Sequence, residues 1–129
     1  MHEALKQLLE NRWIEEAQGA LKYPDTTFIL AYDAVLSAAT IVLRAHGVRA
    51  KRERHHEMTF RALRELRIPG LSDQARYYDD CRRKRNTLEY DCMADVSNAE
   101  AEDFLREALR FTAEVRVWLE RTHRELLQP

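Results

Sequence analysis

The segment that most constrains the fold is an apolar stretch, FILAYDAVLSAATIVL, at residues 28–43. Its apolar side chains point in nearly every direction around a helix, so a helix over about 26–46 has to be buried on almost all sides. The stretch is too short to span a bilayer, and it contains Asp33. The sequence therefore predicts one central helix that is enclosed by the rest of the chain.

The flanking sequence predicts four further helices and no strand, because its apolar residues recur at the helical period. These helices are expected over 2–21, over about 54–67, over about 72–92, and from Ser97 to about Leu126. At 129 residues, the chain is expected to form a single domain, 1–129, with one core. The predicted fold class is all-α, an up-and-down helical bundle of about five helices around a four-helix core.

Short polar and glycine-containing segments predict where these helices begin and end. Asp25 or a neighbouring threonine is expected to cap the central helix, and Gly47 to end it. Ser72 or Asp73 is expected to cap the fourth helix. Ser97 and Glu100 have the spacing of a capping box at the start of the fifth.

The compartment is predicted from the chain start and from cysteine usage. The opening residues, MHEALKQLLENRW, contain no apolar run typical of a secretion signal. The two cysteines, Cys81 and Cys92, are therefore expected to be reduced thiols in the cytoplasm. If one helix carries both, they lie roughly 16 Å apart along its axis and cannot form a disulfide with each other.

Charge is unevenly distributed along the chain, although the net charge is only −1. Residues 44–85 contain thirteen Lys or Arg against six Asp or Glu, while residues 1–43 contain three against six and residues 86–129 five against ten. This pattern indicates either a site for a polyanion or an internal match between helices of opposite charge. Both interpretations are open from the sequence.

Arg85, in the segment RRKRNTLEYD, lies on the apolar side of the predicted fourth helix. At 100° per residue, Tyr78, Cys81 and Leu88 fall within about 60° of Arg85. A guanidinium in that position has to be paired, because an isolated buried charge costs several kcal/mol. Asp33 is the expected partner, and a purely structural ion pair is one interpretation.

The neighbouring cations have a simpler explanation. Asp79 precedes Arg83 by four residues and Asp80 precedes Lys84 by four, which is the favourable order for exposed helical ion pairs. These pairs are expected to stabilise the helix by only a few tenths of a kcal/mol each.

Four segments together resemble the HEPN superfamily of small helical bundles found in prokaryotic toxin–antitoxin and defence systems. The segments are AYDA, HHEMTFRAL, CRRKRNTLEYD and VSNAEAEDFLREA, and the most specific part is Arg85-Asn86. Active HEPN ribonucleases carry an Arg, a polar residue after it, and a His five to seven positions past the Arg. The resemblance implies metal-independent RNA cleavage in a homodimer whose two motifs line one cleft.

The chain departs from that pattern at the histidine. Tyr90 stands at the first expected position, and no histidine lies between His56 and His123. A tyrosine, with a pKa of about 10, is a poor base near neutral pH. His56 could replace the missing histidine if the fold brings it close to Arg85; alternatively, it is a capping or core histidine.

Two functions are therefore predicted as alternatives. The first is an RNA-directed protein, either a weak or a degenerate ribonuclease, with Arg85, Asn86, Tyr90 and His56 as candidate catalytic residues. Additional RNA-binding residues would be Arg82, Arg49, Lys51, Arg52 and Arg54. The second is a protein-binding module, the HEPN partner of a nucleotidyltransferase. No metal or cofactor is predicted, since no set of metal ligands and no Gly-rich phosphate loop occurs.

Overall fold

The computed structural model describes residues 12–19, 23–48, 55–90 and 96–127. These ranges contain five α-helices: α1 (Arg12–Gly19), α2 (Pro24–Ala45), α3 (His55–Leu66), α4 (Ala75–Tyr90) and α5 (Asn98–Thr122). A 3-10 turn, Arg124–Leu127, follows α5. No strand occurs within the described ranges, and the prediction of an all-α helical bundle is confirmed.

The central position predicted for the apolar segment is confirmed. Thirteen residues of α2 are buried, and α2 packs against all four other helices. By length and composition, α2 could cross a membrane, but most of it is enclosed by the bundle, as in the core helix of a soluble protein. This helix supplies more buried apolar residues than any other described helix, and the other helices pack on it.

The sequence predicted the end of α2 correctly but not its start. The helix begins at Pro24, with Tyr23 as the N-cap and no side-chain cap, so the predicted cap at Asp25 or a threonine is wrong. Proline suits the first helical position because its φ is fixed and it has no N–H to satisfy. The predicted stop is confirmed: Gly47 has φ +77°, and the Val48 N–H donates to Leu43 O at 2.9 Å.

The turn between α3 and α4 uses the side chains that were predicted to cap α4. Ser72 Oγ accepts from the Ile68 N–H at 2.9 Å and donates to Leu63 O at 2.6 Å. Asp73 Oδ2 accepts from the Gly70 N–H at 3.1 Å. Both side chains therefore stabilise the preceding turn, and the cap predicted for α4 is wrong. The helix begins three residues later than Ser72, at Ala75.

The start of α5 is confirmed in detail. Ser97 Oγ accepts from the Glu100 N–H at 3.0 Å, and Glu100 Oε1 accepts from the Ser97 N–H at 3.4 Å, which completes the capping box. The helix ends at Thr122 rather than near Leu126, because the backbone changes direction at His123 and continues as the 3-10 turn.

Aromatic contacts show how the helices are arranged around the core. Phe28 lies against Phe104 near the starts of α2 and α5, with ring centroids 4.7 Å apart. His46 stacks on Trp118 near their ends, at 5.6 Å. The two helices therefore run in the same direction. On α4, the buried ring of Tyr78 contacts Phe60 of α3 at 5.8 Å and Phe111 of α5 at 4.9 Å.

Candidate functional site

Arg85 lies at the margin of the core, where α4 packs on α2. Its Nη2 atom is 3.8 Å from Asp33 Oδ1, the partner expected from the sequence. The Arg85 side chain is 17% exposed and that of Asp33 is 25% exposed. On the same side of α4, Tyr78 and Cys81 are buried, and Leu88 packs against the core. The guanidinium is thus held between the apolar interior and solvent.

Tyr32, one residue before Asp33, connects Arg85 to His56. The Cζ atom of Arg85 lies over the Tyr32 ring, 5.7 Å from its centroid. The Tyr32 hydroxyl lies 3.4 Å from His56 Nδ1, and the two rings are 5.9 Å apart. A guanidinium over an aromatic face is electrostatically favourable. Residues from α2, α3 and α4 therefore meet at one ring.

The environment of Tyr32 decides its protonation state. Burial raises the pKa of Tyr32 well above its usual range, and the positive charges of Arg82 and Arg85 only partly oppose this. The hydroxyl therefore stays protonated at neutral pH and acts as a hydrogen-bonding group, not as a base.

The cations beside Arg85 are held by acidic side chains. Arg82 Nε binds Asp79 Oδ1 at 2.8 Å, and the predicted pairing of Arg83 with Asp79 forms at 3.0 Å. The predicted pairing of Lys84 with Asp80 is wrong. Asp80 binds Arg83 at 3.3 Å, and Lys84 Nζ reaches Glu100 Oε2 on α5 at 3.8 Å. Part of the charge asymmetry is thus an internal match between helices.

The remaining predicted site residues are placed as follows. Asn86 is half-buried and follows Arg85 on α4. Tyr90 is the last residue of α4, but its side chain lies outside the part of the chain whose side chains are described. The basic residues predicted to bind RNA in the link before α3 also lie outside the described ranges: Arg49, Lys51, Arg52 and Arg54.

Two features of the site were not predicted from the sequence. The first is Tyr32, which was not predicted as a site residue, although its position beside Asp33 in AYDA is a signal that could have indicated it. The second feature is a network in which the Tyr78 hydroxyl donates to Glu107 Oε1 at 2.8 Å, and Arg110 Nη2 binds the same oxygen at 2.6 Å. Tyr78 is about thirty residues from Glu107 and Arg110 in the chain, so no local pattern indicates its part in the network.

Metal-binding chemistry has no support within the described ranges, where no three His, Cys, Asp or Glu side chains gather around a common point. The thiol of Cys81 is buried and free, and burial raises its pKa to about 12, so it is a poor nucleophile in the folded protein. Cys92 lies outside the described residues.

Comparison with known families agrees with the helical fold. A model of a HEPN-like family matches residues 17–116, which is more than half of the chain. The chain therefore belongs to the HEPN superfamily. Comparisons with curated proteins and with solved structures gave no match.

Proposed function

We propose that this HEPN protein acts on RNA, as a degenerate, metal-independent endoribonuclease of a toxin–antitoxin or defence system. The observation that supports this most is that His56 and Arg85 both contact Tyr32, His56 at its hydroxyl and Arg85 over its ring. The histidine that is missing after Arg85 is replaced, in this proposal, by one from α3. The site uses no metal and no cofactor.

The proposed reaction needs a base and a cation close together. His56 takes the proton of a ribose 2′-hydroxyl, whose oxygen attacks the adjacent phosphorus. The bond from phosphorus to the 5′ oxygen breaks, leaving a cyclic phosphate and a 5′-hydroxyl that takes up a proton. Arg85 stabilises the negative charge that develops on the phosphoryl oxygens. Asn86 orients the phosphate, and Tyr90 is proposed to donate a hydrogen bond to it.

The contact between Arg85 and Asp33 is compatible with this role. At 3.8 Å, it is longer than the 2.7–3.2 Å usual for a direct hydrogen bond of this type. In this proposal, a phosphate oxygen takes the place of this Asp33 oxygen when RNA binds. Asp33 holds the cation in position when RNA is absent.

We further propose that the protein is a cytoplasmic homodimer in which the α4 helices of two protomers face each other. Each Arg85 would then contribute to one shared cleft, so the site would be complete only in the dimer. Light scattering coupled to gel filtration measures the mass in solution. A monomer at the concentrations that support activity contradicts this part of the proposal.

The function is tested by digestion of a labelled RNA in the presence of a chelator. Cleavage is expected with the wild-type protein and is expected to fall at least about tenfold in Arg85→Ala and in His56→Ala. Arg106→Ala is the control, since its side chain is 74% exposed on α5 and lies outside the proposed site. Equal cleavage by Arg85→Ala and the wild type, or no affinity for RNA at low salt, rejects the proposal.

A second candidate is a protein-binding module whose partner is a nucleotidyltransferase. It is favoured by the absence of any histidine between His56 and His123, which leaves Arg85-Asn86 without the usual third residue. Co-expression with the product of the neighbouring gene, followed by purification of one partner, tests it. Recovery of a stable complex that cleaves no RNA supports this candidate, and the absence of such a partner contradicts it.

A further inference from the structure

A groove of about 470 Å³ lies between α3 and α4, beside the Tyr32 cluster. Five arginines line it: Arg61 and Arg64 on α3, and Arg76, Arg82 and Arg83 on α4. Three acidic residues also line it: Glu57, Asp79 and Asp80. The groove therefore has an excess of two positive charges. Of its lining residues, only Arg82 was predicted from the sequence to bind RNA.

The arginines of this groove fall into two groups. Arg82 and Arg83 bind Asp79 and Asp80, so their charges are matched locally. Arg61, Arg64 and Arg76 are exposed, and no ion pair joins any of them to an acidic side chain within the part of the chain that the structure describes. These three, here called the groove arginines, give the groove its unmatched charge.

The groove is next to the Tyr32 cluster. Phe60 lines the groove, and its ring lies 5.9 Å from the ring of Tyr32. Arg82 also lines the groove, and its charge acts on the Tyr32 hydroxyl. Glu57 follows His56 directly on α3. The groove therefore neighbours the residues to which we assign catalysis.

We propose that the groove arginines bind the phosphate backbone of single-stranded RNA and lead it to Arg85 and His56. This inference rests on the proposed function and adds the path of the substrate. Arg61 and Arg64 are three residues apart on one helix, so they lie on the same side of it, with Cβ atoms about 5–6 Å apart. Planar guanidinium groups bind phosphate oxygens in pairs, which suits a row of phosphates.

The lining of the groove favours RNA over an acidic protein. Protein interfaces depend on apolar anchors that fill pockets. The apolar side chains in this groove, Phe60 and Ala75, are only 1% and 2% exposed, so they offer almost no surface to an anchor. The groove can therefore bind a ligand mainly through the charges of its arginines. Nucleic acids are bound in this way, through contacts with their phosphates.

The test measures binding of a fluorescein-labelled 2′-O-methyl oligouridine by anisotropy over a range of salt concentrations. This oligomer cannot be cleaved by attack of a 2′-hydroxyl, so binding is separated from catalysis. The variant is Arg61→Gln/Arg64→Gln/Arg76→Gln. Its matched control, Arg106→Gln/Arg116→Gln/Arg121→Gln, removes three exposed arginines from α5. Circular dichroism shows whether both variants are folded.

The groove variant is expected to bind at least about tenfold more weakly than the control at low salt. The slope of log affinity against log salt concentration should fall by about two, since each lost phosphate contact removes about 0.7. Equal affinities for the groove variant and the control overturn the proposal. Displacement of the oligouridine by poly-glutamate at equal charge concentration also overturns the proposal, because an acidic protein is then an equally good ligand.

Cleavage of unmodified RNA separates this proposal from the proposed function. If Arg85→Ala abolishes cleavage while the groove variant binds like its control, the groove proposal is wrong and the function stands. If the groove variant loses affinity but no variant or wild-type protein cleaves RNA, the groove is supported and the ribonuclease is not. If the wild-type protein does not bind the oligomer at low salt, both are rejected.

Discussion

Asp33 on α2 and Arg85 on α4 face each other at the edge of the core, with 3.8 Å between Oδ1 and Nη2. Asp33 is the only charged residue of the apolar stretch at 28–43. Its carboxylate therefore compensates a guanidinium that would otherwise be costly to hold at this depth. The pair explains how α4 can place a cation on its apolar side, and it leads to the first prediction.

Replacing Asp33 with Asn is expected to lower the free energy of unfolding by about 1–2 kcal/mol, measured by urea denaturation. The loss is smaller than for a fully buried pair, because both side chains keep some exposure to solvent. The double variant Asp33→Leu/Arg85→Leu should recover most of the stability. Asp103→Asn, in an exposed pair with Arg106, is the control and should change stability by less than about 0.5 kcal/mol. A stability of Asp33→Asn equal to that of the wild type contradicts the assignment.

Tyr78→Phe is expected to lower the free energy of unfolding by about 1–2 kcal/mol, because it removes the hydroxyl that donates to Glu107 at 2.8 Å. The carboxylate then loses one partner at a site that is largely shielded from solvent. Tyr23→Phe is the matched control, since Tyr23 is 67% exposed and its hydroxyl should contribute little. Thermal or urea unfolding compares the two variants. Equal effects at both positions would show that the network is not stabilising.

Stability is expected to decline at alkaline pH. Burial is the main cause that raises the pKa values of Tyr32, Tyr77 and Tyr78 above those of free tyrosine. Above about pH 10 the unfolded chain releases these protons while the folded protein retains them, so the folded state binds more protons and loses stability as pH rises. Below about pH 10 this contribution is fully present. Melting temperatures from pH 8 to pH 11 measure the decline, which should be less steep in Tyr77→Phe. An unchanged melting temperature over that range disproves the prediction.

Cys81 is expected to be inert to thiol reagents in the folded protein. Burial raises its pKa to about 12, although a hydrogen bond with Tyr77 acts in the opposite direction, and the reactive species is the thiolate. A Cys92→Ser variant leaves Cys81 as the only cysteine. Ellman's reagent at pH 8 should modify it only after guanidinium is added. Glu102→Cys in the same background provides an exposed thiol as a control. Rapid modification of Cys81 without denaturant would show that this part of α4 opens readily.

Features that depend on helical periodicity were predictable from the sequence. The apolar stretch at 28–43 indicated the central helix, and Ser97 with Glu100 indicated the start of α5. The pair of Asp33 and Arg85 was also predictable, because each is a charge on an otherwise apolar helix side. In all these cases the pattern lies within one helix or follows from the cost of burying a single charge.

Features that depend on the packing of distant segments were not predictable. Serine is a common helix cap, but the Ser72 hydroxyl forms its hydrogen bonds with the chain before it. It accepts from the Ile68 N–H in the turn and donates to Leu63 O in α3. Lys84 has an acidic residue four positions before it, yet its partner is Glu100 on α5. The role of Tyr32 depends on which residues of α3 and α4 meet it. Local sequence does not contain that information.

The shared direction of α2 and α5 gives the bundle a polarity. The negative ends of two helix macrodipoles lie side by side near His46 and Trp118. Each helix carries a basic residue in its last turn, Arg44 or Arg121, and an acidic residue in its first, Asp25 or Glu100. These side chains offset the backbone field at both poles. The groove arginines, whose charge is not matched by an ion pair within the described ranges, lie instead on the flank formed by α3 and α4. The path proposed for a polyanion therefore runs along the side of the molecule and not across its ends.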